Sequence, residues 1–80
     1  MKPSEVVGKL IEHSGKSANS LSYQLGRSRE YVRNTSTKAS PGLATVADVA
    51  DVCGVDVVLV DRATGAALGT VTPPRREADA

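Results

Sequence analysis

Apolar residues recur at helical spacing through the first two thirds of the chain, then switch to a continuous run. Val6, Val7, Leu10 and Ile11 fall on one face of Ser4 to His13, which reads as a first helix. Ser4 is placed to cap it, Glu5 suits the positive end of its dipole, and Gly15 suits the left-handed closing position. Gly8 weakens this helix, a cost that close approach of a neighbouring element would explain. Ser17 to Leu25 predicts a short second helix, with Leu21 and Leu25 four residues apart on one face and Gly26 as its breaker. Ser28 is placed to cap a third helix, Arg29 to about Thr35, anchored inward by Val32. After Pro41-Gly42, Leu43 to Cys53 carries the longest apolar stripe, formed by Leu43, Val46, Val49, Ala50 and Cys53. Asp48 and Asp51 lie off that stripe, and Gly54 ends the helix.

From Asp56 the period changes. Val57-Val58-Leu59-Val60 is continuous and β-branched, Ala63-Thr64-Gly65 is a turn, and Ala67 to Thr72 returns. The pattern predicts a β-hairpin over 57–72, followed by a polar, mobile tail over 73–80. Both faces of the first strand are apolar. One is expected to cover the helices, while the other face and the free edge need a further partner. A second copy of the chain is the expected partner, through Val58, Val60, Leu68 and Val71. The alternative is that the hairpin caps the core of a monomer.

Composition narrows the function classes. Eighty residues make one small domain with a thin core. Phe and Trp are absent and eleven valines do much of the filling, which leaves little to wall a deep pocket. One His and many Ser assemble no catalytic set, so no enzyme activity and no cofactor are expected. A single cysteine excludes an internal disulfide and a zinc finger; Cys53 reads as a small core hydrophobe, and no metal site is expected. His13 is assigned no role. No apolar run approaches the ~20 residues of a membrane span, and the N-terminus lacks the apolar core of a signal peptide, so a cytoplasmic protein is expected. Net charge is only +1, yet it is polarised. Residues 1–40 hold seven Lys or Arg against three Glu, giving +4, and residues 41–80 hold three Arg against six acidic residues, giving −3. A basic first half points to a polyanionic partner.

A helix, a glycine-containing turn and a second short helix, set among other short helices, form the helix-turn-helix pattern. Leu21, the small Ser22, Leu25-Gly26, Ser28, Val32, Pro41, Leu43, Val46, Val49-Ala50 and Gly54-Val55 carry it in order. On these residues the chain resembles the phage repressor and Cro type of helix-turn-helix domain, the xenobiotic-response-element family, over roughly residues 4–56. The resemblance implies a mainly α fold: four short helices containing a lambda-repressor-like helix-turn-helix in 1–56, then the hairpin in 57–72 as a dimerisation element. In that frame Leu21, Leu25 and Val32 wedge the two helices apart, and Ser22 must be small where the next helix crosses.

The resemblance also implies a function: a dimeric transcriptional repressor of phage or prophage kind, binding the major groove of double-stranded DNA. Base contacts would come from Arg29, Glu30 and Arg33, since arginine can donate twice to guanine and glutamate can accept from cytosine. Phosphate contacts would come from Ser17, Asn19, Ser28, Tyr31, Asn34, Thr37 and Lys38, with Tyr31 alternatively stacking on a neighbouring helix. With no room for a sensor domain, no small-molecule effector is expected. Two positions depart from the family. Arg27 stands where an apolar residue is usual, and Ser36-Thr37-Lys38 replaces the usual Glu-x-Gly. The competing reading is a protein-interaction module, such as an antitoxin-like partner that keeps the helix-turn-helix only as scaffold.

Overall fold

The chain folds in the order that its apolar pattern predicts, with one further element at the end. A computed structural model describes residues 1–77. Its elements are α1 (Pro3–Ser14), α2 (Ala18–Gln24), α3 (Tyr31–Ser36), α4 (Leu43–Val52), β1 (Val58–Val60), β2 (Ala67–Thr70) and α5 (Pro74–Glu77). About half of the chain is helical, and the two strands form an antiparallel hairpin near the C-terminus. No helix among the described residues is long and apolar enough to cross a membrane.

Helix α1 starts earlier than expected. Lys2, not Ser4, is its N-cap, because Pro3 supplies a pre-set φ at the first helical position. The Glu5 carboxylate accepts from the Lys2 N–H at 3.2 Å, closing the first turn in place of a serine cap. Gly8 faces open space, so no close approach explains it. Helix α3 also starts differently. Ser28 does not cap it: the N-cap is Glu30, Arg29 and Glu30 form a preceding turn, and Ser28 contributes its carbonyl to the Tyr31 N–H at 3.0 Å.

Val7, Leu10, Leu21, Val32, Val49 and Ala50 make the core, where α1, α2, α3 and α4 meet. Leu25, Tyr31, Val46, Cys53 and Val57 pack against it at half burial. In α4 the stripe keeps Val46, Val49, Ala50 and Cys53 but loses its first member. Leu43, at the helix start, is 60% exposed, and Ala47 takes a buried place instead. Burial pushes the Cys53 thiol above its ordinary range, against smaller opposing pulls from a Ser14 hydrogen bond and the Lys16 charge.

The hairpin departs furthest from expectation. Val58 pairs with Thr70, Leu59 with Gly69 and Val60 with Ala67, with a bulge between Leu59 and Val60. Val58 and Val60 lie on one face and Leu59 on the other, yet all three are exposed. Neither face covers the helices. Only the root joins the body, through half-buried Val57 and Val71, whose backbones hydrogen-bond at 2.8 Å.

The segment read as a polar tail is ordered helix over 74–77, while 78–80 lie outside the described residues. Pro73 is buried, and two acidic residues of α4 hold α5. Asp48 accepts from the Arg75 N–H at 3.2 Å, and Asp51 lies 2.7 Å from Arg76 and 3.7 Å from Arg75. Part of the acidic half is therefore neutralised within the chain.

Candidate functional site

The α2–α3 junction is built by two backbone hydrogen bonds and one side chain. The Gly26 N–H donates to the Tyr23 carbonyl and the Arg27 N–H to the Ser22 carbonyl, both at 3.0 Å. This is the paired closure of a helix end through a left-handed residue, and Gly26 has the required φ of 68°. In such an ending the residue after the glycine commonly packs an apolar side chain back on the last turn. Here that residue is Arg27, and it lays its guanidinium over the Tyr31 ring, 5.2 Å from the centroid.

Ser22 does more than stay small. It is fully buried. Its Oγ accepts from the Val32 N–H at 2.9 Å while its hydroxyl donates to the Ala18 carbonyl at 2.9 Å. The N–H of Val32 lies in the first turn of α3 and has no partner within its own helix. One hydroxyl thus ties α3 to α2. Leu21 and Val32, both fully buried, and half-buried Leu25 fill the angle between them.

That junction leaves Arg29, Glu30 and Arg33 exposed at the start and along α3. Asn34, Thr37 and Lys38 are exposed further on. The Ser36 and Thr37 hydroxyls turn back to the Arg33 and Asn34 carbonyls, at 2.7 and 2.8 Å, and so close the C-terminus of α3. That is the local use of the serine and threonine in Ser36-Thr37-Lys38. Ser17 caps α2, its Oγ accepting from the Ser20 N–H at 3.1 Å. Asn19 is half-buried, and its Oδ1 has no hydrogen-bond partner among the described residues. Ser28 is exposed, whereas Tyr31 is half-buried beneath Arg27.

Tyr23, 85% exposed, belongs beside these residues. With Asn19, Arg27 and Arg29 it lines a shallow depression of about 260 Å³. Its spacing four residues from Asn19 on a helix was the sequence signal for it. A second depression of about 220 Å³ brings Arg75 of α5 beside Arg27 and Tyr31, with Asp48 in its wall. No spacing rule connects residues so far apart in the chain. Over 27–38, Arg27, Arg29, Arg33 and Lys38 stand against Glu30 alone, a local charge of +3. A solvated surface of this sign attracts polyanions and donates hydrogen bonds, and among the described residues no three acidic, His or Cys side chains group to hold a metal. No family model, curated protein or solved structure matches this chain.

Proposed function

We propose that this chain is a sequence-specific regulator that binds double-stranded DNA, a dimeric cytoplasmic repressor of the Cro and phage-repressor kind. The observation that carries the reading is the Ser22–Val32 tie, which fixes α3 against α2 while the side chains of Arg29, Glu30 and Arg33 make no hydrogen bond or ion pair among the described residues. In this reading α3 enters the major groove. Arg29 and Arg33 donate to guanine O6 and N7, and Glu30 accepts from cytosine N4. Ser17, Asn19, Ser28, Asn34, Thr37 and Lys38 position the backbone, as does Tyr31 by its hydroxyl. The hairpin joins two copies, setting the two α3 helices about one DNA turn (~34 Å) apart on a palindromic site.

Titrating duplex DNA at rising salt tests this. Several phosphate contacts require log affinity to fall steeply and linearly with log salt. Arg33→Ala weakens binding further at every salt concentration. A protein that shifts no duplex at low salt overturns the reading. The uncovered hairpin favours one second reading, the protein-interaction module, in which a partner protein binds tightly and no DNA is shifted.

A further inference from the structure

A groove of about 670 Å³ opens between α1, α4 and the segment leading into β1. Leu10, Val46 and Val57 line it with their apolar side chains, His13 lines it as well, and Lys9 and Asp56 add one charge of each sign. Beside it stands a hairpin with no cover: Val58 is 41% exposed, Leu59 57%, Val60 56% and Leu68 71%. The chain exposes 5445 Å² for its 8.3 kDa, against about 4600 Å² for a compact monomer of that mass.

We infer that the α1–α4 groove receives the hairpin of a second copy, and that the exchange is reciprocal. Edge-to-edge strand pairing would leave the problem unsolved. Strands of three and four residues with a bulge offer few ladder hydrogen bonds, and pairing their edges still leaves both apolar faces in water. Seating a face in an apolar groove removes that surface. The groove ends at Val57, one residue before β1, so groove and hairpin adjoin on every copy. A two-fold axis beside this root lets each hairpin cross into the other groove, which closes the assembly at two copies. Charge is complementary in kind: the groove carries Lys9 and Asp56, and the hairpin turn carries Asp61 and Arg62.

The inference rests on the dimer in the proposed function and not on DNA binding. Disulfide trapping tests it in a Cys53→Ala background. His13→Cys and Leu68→Cys are placed in separate chains, so no chain can link to itself. Both sites are exposed and leave the core intact. Mixed and oxidised, the two should give the 13–68 linked pair, and Leu68→Lys should shift the sedimentation mass from dimer to monomer. Links only between two copies of Leu68→Cys overturn the groove seat while leaving a dimer. A parent protein that stays monomeric at tens of micromolar overturns both the seat and the dimer, while the salt titration judges DNA binding separately.

Discussion

Ser22→Ala is the sharpest test of how this fold holds α3. The substitution opens no large cavity and costs no helix propensity. It removes the acceptor of the Val32 N–H, a buried donor bonded at 2.9 Å, and strands that donor away from water. An unsatisfied buried group costs about 1–3 kcal/mol. A domain of this size holds roughly 4–12 kcal/mol in total, at ~0.05–0.15 per residue. A loss near ~2 kcal/mol lowers the folded-to-unfolded ratio about thirtyfold and lowers Tm by roughly 8–16 °C. Urea and thermal unfolding followed by circular dichroism read the loss. Amide exchange locates it, with the Val32 N–H losing protection more than Val49, which lies in the same core. If Ser22→Ala costs under ~0.5 kcal/mol and leaves Val32 protected, the hydroxyl does not tie α3 to α2.

Three further perturbations follow from the same structure. Gly26→Ala meets no steric neighbour but forces an L-residue to a φ of 68°, so it should cost about 1–2 kcal/mol in urea unfolding, and Gly26→Asn less. Asp51→Asn removes the partner of Arg76, whose side chain is 64% exposed, so the stability loss should stay within ~1 kcal/mol while trypsin cleavage after Arg75 and Arg76 accelerates. For Cys53 the folded thiol is raised above the unfolded one. As pH rises the unfolded thiol ionises first, so stability holds below the ordinary thiol range, ~8.5, and falls above it. Cys53→Ala should flatten that fall between pH 8 and 10 relative to the parent; an unchanged slope would remove the thiol from the explanation.

Much of the helical body was legible because its apolar residues repeat with the helix. Val7, Leu10, Val49 and Ala50 are core residues in both sequence and structure. Helix starts were less legible, since several residues compete for each cap. Ser4 and Ser28 both have the chemistry of an N-cap, but Pro3 and the turn at 29–30 decide where the helices begin. Pro73-Pro74 reads as a terminator, yet proline also suits the first turn of a helix. What makes α5 a docked element is Asp48 and Asp51, more than twenty residues earlier. The hairpin was predicted as strands, but a run that is apolar on both faces cannot say which face is covered. At the candidate site, exposure of Arg33 followed from helical phase around Val32, whereas Arg29 and Glu30 are exposed because they form the turn before α3. The stacking of Arg27 on Tyr31 needed the three-dimensional turn, and so did the second bond of Ser22.

Selection of binding sites from a pool of random duplex DNA decides whether α3 reads sequence. The expected result is a single palindromic motif whose half-sites repeat at one helical turn. Arg29→Ala or Arg33→Ala should then each relax preference at one base pair, at a cost of about 1–3 kcal/mol. Lys38→Ala should weaken all sequences alike. A pool that emerges with no motif, from protein that remains folded, would contradict sequence recognition by Arg29, Glu30 and Arg33.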